Sequence, residues 1–152
     1  MSVTFEFLES VARLCLKGDR GNVLDRLAIA AISDRVREVG HNPVAKALLI
    51  AASGPDFSFG ASVEEHRADV VRSMLPLFHR LITALVELPV PVLVAVQGRC
   101  LGGGLELALT GTRIFAHPSA RFAAPEIKLG VFAPAASALL PPRVGHSVAA
   151  GL

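Results

Sequence analysis

The amino-acid sequence predicts an α/β fold in which most strands pair in parallel. Strand-like and helix-like segments alternate along the chain, an order typical of parallel sheets covered by helices. The runs at 47–52 and 90–96 are uninterrupted apolar stretches, which favours strands buried on both faces. With 152 residues the chain is long enough to bury a core, and we expect one domain over 1–152.

The first elements are a predicted hairpin and a helix. Apolar and polar residues alternate at 3–7 and at 12–16, and the polar pair at 9–10 predicts a tight turn between two strands. Apolar residues at helical spacing over 24–39 predict the first helix, and Gly40 is a natural stop.

The middle of the chain is predicted as strand, loop, helix and strand. The buried strand at 47–52 leads into the Gly/Pro/Ser-rich segment 53–62, which we expect to be a loop. An apolar stripe over 70–85 predicts the second helix. Because proline is costly inside a helix, Pro76 predicts a kink or a fresh helix start. The next strand follows at 90–96.

Glycines and short elements make up the rest. The glycines at 102–104 lead into a short apolar helix that Gly111 stops. A strand is predicted at 113–116, and a second loop-like stretch at 124–130. Small residues near 135–140 predict a last helix.

Composition excludes several classes of protein. Hydrophobic residues make up 52% and charged residues 18% of the chain, but no apolar run reaches the ~18 residues of a membrane span, so we expect no membrane association. A net charge of +2 and the lack of Trp and Tyr argue against nucleic-acid binding. Cys15 and Cys100 have neither disulfide nor metal-site spacing. Without a signal-peptide pattern, a cytoplasmic location is expected.

One glutamate stands in an otherwise apolar segment, "CLGGGLELAL". Glu106 alone fits a structural carboxylate that caps a loop or pairs with an arginine. The preceding glycines favour a functional interpretation over this structural one, because a strand–glycine–helix junction exposes unpaired N–H groups able to hold an anion. The segment lacks the GxGxxG and GK[ST] phosphate patterns. A developing oxyanion is therefore favoured, with a simple packing turn as the alternative.

A second carboxylate, Glu126, follows in "APEIKLG". Two poorly solvated glutamates beside an anion-stabilising turn suit paired acid and base chemistry. The loop "FSFGAS" offers a further backbone N–H at Ala61. Whether these parts converge in space is open at this stage.

Other reactive side chains give weaker patterns. Adjacent residues point to different helix faces, so the "EEH" segment at 64–66 indicates a solvated helix start rather than a metal site. Ser62 and Cys100 lack an adjacent base that would make either a nucleophile. The scattered histidines show no nucleophile–base pattern and are expected in surface or loop positions: His41, His79, His117 and His146. No metal site is expected.

The segments "AVQGRCLGGGLELAL", "FSFGASVEEH" and "APEIKLGVFAPAASALLPPRVG" resemble, in order and spacing, the signature regions of the enoyl-CoA hydratase/isomerase (crotonase) family. The resemblance covers 3–145. It implies a crotonase-like spiral of ββα units. Members of this family continue into C-terminal helices that help close the acyl pocket. The chain is therefore expected to be truncated before that segment, with apolar surface exposed as a result.

The resemblance also implies a site. The backbone N–H groups of Ala61 and Gly103 match the family's oxyanion hole, and Glu106 and Glu126 match its two catalytic glutamates. The loop around 58–63 would lie along the adenine and pantetheine of coenzyme A. The expected substrate-binding residues are Ser58, Phe59, Gly60, Ala61, Ser62, Gly102 and Gly103. Coenzyme A enters as part of the substrate, and no other cofactor is implied.

The implied activity is hydration of an α,β-unsaturated acyl-CoA. "FSFGASVEEH" and "GVFAPAAS" most resemble the cyclohexa-1,5-diene-1-carbonyl-CoA hydratases of anaerobic aromatic degradation, which suggests a cyclic dienoyl substrate. Two alternatives stay open: a double-bond isomerase using one glutamate, and a non-catalytic CoA-binding or assembly fragment. A homo-oligomer, trimer or hexamer, is implied for a complete chain.

Overall fold

The fold is described by a computed structural model that covers residues 1–19, 21–66 and 71–152, without the side chains at positions 66 and 129. The strands are β1 (Ser2–Leu8), β2 (Val11–Lys17), β3 (Ala47–Ala52), β4 (Val92–Val96), β5 (Arg99–Leu101), β6 (Arg113–Ala116) and β7 (Arg121–Ala123). The helices are α1 (Arg26–His41), α2 (Val71–Val86), α3 (Gly103–Leu109), α4 (Pro134–Leu139), α5 (Pro141–Val144) and α6 (His146–Ala149). Short 3₁₀ turns lie at Glu64–His66 and Pro125–Leu129.

The main sheet confirms the predicted α/β fold. Its strand order is β1-β2-β3-β4-β6, and only the β1–β2 hairpin is antiparallel. The register aligns Leu14 with Ile50, Ile50 with Val94, and Val94 with Ile114 across the four parallel strands. Leu14, Ile50 and Val94 have no exposed surface, because helices cover this face of the sheet. The predicted hairpin and buried strands are therefore confirmed.

The first helix begins two residues later than its apolar pattern predicts. Leu24 instead forms a parallel bridge with Ala61, and Asp25 is the N-cap. Oδ1 of Asp25 accepts a hydrogen bond from the Ala28 N–H at 2.7 Å, as an N-cap carboxylate should. This bridge ties the start of α1 to the loop that carries Ala61.

The second helix does not begin afresh at Pro76, which was one of the two predicted alternatives, a kink being the other. A single helix, α2, contains Pro76 and ends at Val86, while Val70, the first residue of the predicted stripe, lies outside the described residues. Proline removes one backbone donor. The buried stripe continues on both sides of it, from Met74 to Leu85, so apolar packing offsets the lost hydrogen bond.

A second, smaller sheet was not predicted, and it positions the site. β5 and β7 pair in parallel, and Ser58 forms a parallel bridge with Cys100 on the other side of β5. Each strand has only three residues, too few to show an alternating pattern. The carboxyl ends of parallel segments lie at one edge. Residues 59–61, 102–103 and 124–126 are therefore brought side by side.

The described apolar side chains form a hydrophobic core that extends from β2 to α4. Within the described ranges, no helix combines the length and the hydropathy needed to cross a bilayer. Several large apolar side chains near the second sheet are exposed, among them Ile127 and Phe132, at 80% and 71% of their surface.

Candidate active site

A cavity of about 890 Å³ opens at the edge where the three parallel segments end. Most of the predicted site residues line it: Phe59, Gly60, Ala61, Gly102, Gly103, Glu106 and Glu126. Ser58 and Ser62 do not. Ser58 is fully buried behind the loop, where its hydroxyl donates to the Asn22 carbonyl and accepts from the Gly60 N–H. Ser58 therefore shapes the loop instead of facing a ligand.

Glu106 lies on α3, a helix whose seven residues are all buried. Only 4% of its surface is exposed. Its Oε1 accepts hydrogen bonds from the N–H groups of Ala135 at 2.8 Å and Ala136 at 3.0 Å. These donors belong to the first turn of α4, where N–H groups lack intrahelical partners. The small-residue helix predicted near 135–140 thus holds the carboxylate, and no arginine pairs with it among the described residues.

The surroundings of Glu106 raise its pKa above the ordinary glutamate value. Burial is the main cause, because it removes water from the charged form. The N–H groups of Ala136 and Ala135 oppose the shift. The charge of Glu126 raises the pKa further, and the charge of His79 lowers it. Such a carboxyl keeps its proton to higher pH than a solvated glutamate, as acid and base catalysis near neutral pH requires.

This raised pKa predicts a pH-dependent effect of Glu106→Gln on stability. Below the ordinary glutamate pKa of ~4.3 the carboxyl is protonated in both folded and unfolded chains. As pH rises toward the raised folded pKa, the folded wild type loses stability that a neutral glutamine does not lose. Melting temperatures should therefore match near pH ~4 and favour the variant near pH ~8. A difference that stays constant over this range would contradict the prediction.

Glu126 is placed in the cavity by the 3₁₀ turn Pro125–Leu129, directly after β7. Its Oε2 is buried and has no hydrogen-bond partner among the described residues. A Cβ on Gly102 would collide with its Oε1. Gly102 also has φ +51°, a conformation that favours glycine. Glycine at 102 therefore leaves room for the second carboxylate.

Two backbone N–H groups beside the glutamates have no hydrogen-bond acceptor among the described residues. In the bridge to Leu24, Gly60 supplies the accepting carbonyl and Ser62 the donating N–H, at 2.9 and 3.0 Å. The N–H of Ala61 therefore points away from Leu24. Gly103 is the first residue of α3, so its N–H has no intrahelical acceptor. A Cβ on Gly103 would lie 3.0 Å from the Ala61 nitrogen, which puts the two groups next to each other.

An ion pair fixes the loop that carries Ala61. Oδ1 of Asp56 accepts from the backbone N and Nε of Arg99 at 2.8 and 3.0 Å, and Oδ2 accepts from Nη2 at 2.9 Å. The guanidinium also lies 4.2 Å from the centre of the Phe59 ring. The side-chain hydrogen bond from Arg99 holds the pKa of Asp56 below its ordinary value. This pair therefore anchors the Ala61 loop to β5.

We expect Asp56→Asn to lower the melting temperature near pH ~7, because the charge-assisted hydrogen bonds weaken. The loss should shrink as pH falls below the ordinary aspartate pKa of ~3.9, where the wild type also begins to lose this contribution. Asp34→Asn is a matched control, since its pair with Arg37 is exposed and contributes little. Equal melting temperatures for wild type and Asp56→Asn would contradict the role of this pair.

The structure corrects the predicted surface or loop position of His79. His79 lies on α2 and lines the cavity, with Nε2 buried and without a hydrogen-bond partner in the described part of the chain. Cys100 is fully buried, and burial raises its thiol pKa to about 12. No cluster of three metal-ligating side chains occurs among the described residues.

Comparisons with known proteins identify relatives of this chain. The chain is 50% identical over 143 residues to cyclohexa-1,5-dienecarbonyl-CoA hydratase of Thauera aromatica, an alignment covering 94% of this chain and 55% of that protein. It is 38% identical over 107 residues to enoyl-CoA isomerase/hydratase fer4 of Mycosarcoma maydis, covering 67% of this chain and 39% of that protein. The chain thus spans about half the length, or less, of these curated relatives.

Solved structures share the fold. Pseudomonas aeruginosa DspI superposes with a TM-score of 0.92 at 26% identity, covering 97% of this chain and 62% of that one. An enoyl-CoA hydratase from Shewanella pealeana gives a TM-score of 0.90 at 24% identity, and the superposition covers 98% of this chain and 59% of that one. The sequence profile described as enoyl-CoA hydratase/isomerase matches residues 6–152. The chain therefore belongs to the enoyl-CoA hydratase/isomerase family.

Proposed function

We propose that this site adds water to the double bond of an α,β-unsaturated acyl-CoA thioester. The observation that carries the proposal is one cavity lined by two glutamates and by two residues whose N–H groups have no acceptor in the described part of the chain. Hydration needs a stabilised enolate, a base for water and an acid for the α-carbon, and this cavity offers a group for each. The hydratase name of the relative at 50% identity supports the same reaction.

The N–H groups of Ala61 and Gly103 would bind the thioester carbonyl oxygen. When water adds to the β-carbon, the electron pair of the double bond moves onto that oxygen as an enolate. Donors already in place need no reorganisation, and each is worth ~3 kcal/mol of transition-state stabilisation. The Gly102 turn and the Asp56–Arg99 pair keep the two donors adjacent.

The glutamates would move the protons. One carboxylate takes a proton from water while the water oxygen forms a bond to the β-carbon. The other, protonated, gives its proton to the α-carbon as the enolate collapses. Burial and, to a smaller extent, the charge of Glu126 raise the pKa of Glu106, so this carboxyl accepts a proton more readily than a solvated glutamate does.

The acyl group would occupy an apolar part of the cavity. Leu75 and Phe78 contribute from α2, and Val131 and Phe132 from the segment before α4. Hydrocarbon side chains without charge suit a hydrocarbon acyl group. The size of the cavity, about 890 Å³, leaves room for a ring. We therefore propose a cyclic dienoyl-CoA substrate, with the loop at 59–63 along the CoA moiety.

The test is an absorbance assay with cyclohexa-1,5-diene-1-carbonyl-CoA beside crotonyl-CoA. Loss of conjugation with a product heavier by one water supports hydration. Loss of conjugation at unchanged mass would replace hydration by isomerisation. Binding without turnover would show a non-catalytic CoA-binding chain. Preference for crotonyl-CoA would overturn the proposal of a cyclic substrate and leave the proposal of hydration in place.

We further propose a homo-oligomer, trimer or hexamer, and a cytoplasmic location. The family resemblance supports the assembly, and the free thiols of Cys15 and Cys100 fit a reducing compartment. Light scattering of the purified chain tests the assembly, and a monomer would overturn it.

A further inference from the structure

Asn22 is a buried polar residue that lies outside the cavity, with only 1% of its surface exposed. Its Nδ2 donates hydrogen bonds to three backbone carbonyls, those of Ser53 at 3.1 Å and of Asp56 and Phe57 at 3.0 Å. These carbonyls belong to the loop that follows β3 and leads to Ala61. One side chain therefore holds much of that loop from a distant part of the sequence.

The backbone of Asn22 extends this attachment toward Ala61. The Asn22 carbonyl accepts a hydrogen bond from Oγ of Ser58 at 2.8 Å, and the same Oγ accepts one from the Gly60 N–H at 3.1 Å. Gly60 directly precedes Ala61 in the chain. The N–H of Ala61 is one of the two donors proposed to bind the thioester oxygen, so its direction depends on these contacts.

Two unfavourable features accompany asparagine at this position. Asn22 has φ +49°, a left-handed conformation that few residues other than glycine, asparagine and aspartate adopt readily. Its Oδ1 is buried and has no hydrogen-bond partner within the described ranges, which costs stability. The three surrounding carbonyls fix the amide with its NH2 group toward the loop. A hydrogen-bond donor is therefore what this position requires.

We propose that Asn22 is a positioning residue for the oxyanion hole, and that it sets the direction of the Ala61 N–H through the loop. The inference rests on one part of the proposed function, the binding of the thioester oxygen by Ala61 and Gly103. Asn22 does not line the cavity, so it acts only through the loop. Donors for a developing enolate must be accurately aimed, and a displacement of ~1 Å can cost ~10²-fold in rate.

The test compares Asn22→Asp with the wild type, using calorimetry with two ligands, butyryl-CoA and the thioether S-butyl-CoA, which lacks only the carbonyl oxygen. Aspartate has the size of asparagine and tolerates the left-handed conformation, but its carboxylate has no donor for the three carbonyls. The variant should bind butyryl-CoA ~2- to 10-fold more weakly, the effect of one hydrogen bond, and bind S-butyl-CoA as the wild type does. Its kcat for hydration should fall ~10²-fold, with a smaller change in KM.

Asn42→Asp is the matched control, because it makes the same chemical change at the end of α1 and away from the cavity. Oδ1 of Asn42 accepts a hydrogen bond from the Val44 N–H at 3.0 Å, a role that aspartate keeps. This variant should match the wild type in turnover and in its affinity for both ligands.

Ser58→Ala tests the same path with a smaller change and decides the matter if Asn22→Asp does not fold. Alanine keeps the Cβ but removes the hydroxyl that links the Asn22 carbonyl to the Gly60 N–H. The preference for butyryl-CoA over S-butyl-CoA should fall in this variant too. If Asn22→Asp does not fold, an unchanged preference in Ser58→Ala would overturn the inference.

The outcomes separate the inference from the proposed function. A wild type that hydrates its substrate, with an unchanged ligand preference in a folded Asn22→Asp, would overturn the inference alone. Equal loss of both ligands would assign Asn22 to the general shape of the binding site and would also overturn the inference. A wild type that prefers butyryl-CoA but hydrates no substrate would overturn the proposed function, and loss of that preference in Asn22→Asp would still support the inference.

Discussion

Replacing Glu106 by glutamine is expected to lower kcat by ~10²- to 10⁴-fold, the contribution of one general acid or base. Glutamine holds no transferable proton near neutral pH, so one of the two proton transfers loses its group. The thioester oxygen would still meet the N–H groups of Ala61 and Gly103. Affinity for the saturated analogue butyryl-CoA should therefore stay within ~3-fold of wild type.

The folded site should survive this change. The amide Oε1 of glutamine can accept from the same N–H groups of Ala135 and Ala136 that now hold the carboxylate. The side chain keeps its length, and the buried charge is removed. A melting temperature at or above the wild-type value would show that the lost turnover comes from chemistry.

Glu87→Gln is the matched control, because Glu87 is exposed just after α2 and its side chain makes no contact with the cavity. Its kcat should equal that of the wild type. An unchanged kcat in Glu106→Gln would remove Glu106 from the mechanism. A large loss of butyryl-CoA affinity would instead assign Glu106 to substrate binding.

The long, strongly patterned elements of this fold were predictable from the sequence. The alternation in β1 and β2 and the apolar runs of β3 and β4 gave the correct strands, because each extends over five residues or more. Helix α1 was predicted from its buried stripe. Its first turn differs because Leu24 satisfies a bridge to Ala61, and no local pattern encodes that long-range pairing.

The elements that build the site were harder to predict. β5 and β7 are strands of only three residues. They pair with each other, and β5 also forms a bridge with Ser58. The parallel pairing of these two strands places the glycine turn beside Glu126. Such long-range pairing is not encoded in the local sequence of either strand. The residue types of the site were identifiable from the sequence, but their convergence was not.

The position of His79 in the cavity could not be predicted from the sequence. A lone histidine carries no motif, and only the packing of α2 against the glycine turn brings it to the cavity. The role of Ala135 and Ala136 as donors to Glu106 was likewise hidden, because backbone N–H groups leave no trace in side-chain patterns.

Gly103→Ala is expected to lower kcat/KM by ~10²- to 10³-fold, the effect of disabling one oxyanion donor. The added methyl carbon would lie 3.0 Å from the Ala61 nitrogen and 3.3 Å from Phe78 Cζ. It would therefore crowd the N–H of Ala61, one of the two groups proposed to bind the thioester oxygen. Neither Glu106 nor Glu126 is among the three atoms nearest to the added methyl, so the loss would isolate the electrostatic part of the proposed mechanism.

Helix propensity does not oppose this substitution, since alanine is favoured over glycine in a helix by up to ~1 kcal/mol. Gly40→Ala on α1 provides the comparison, because its added methyl would lie 3.4 Å from Leu88 Cδ1, an ordinary contact. That variant should keep full activity and a melting temperature at or slightly above wild type. If Gly103→Ala folds like the control and also retains full kcat/KM, the paired N–H groups do not bind the reacting oxygen. A loss confined to kcat/KM in a folded protein is the outcome that the adjacent N–H groups predict.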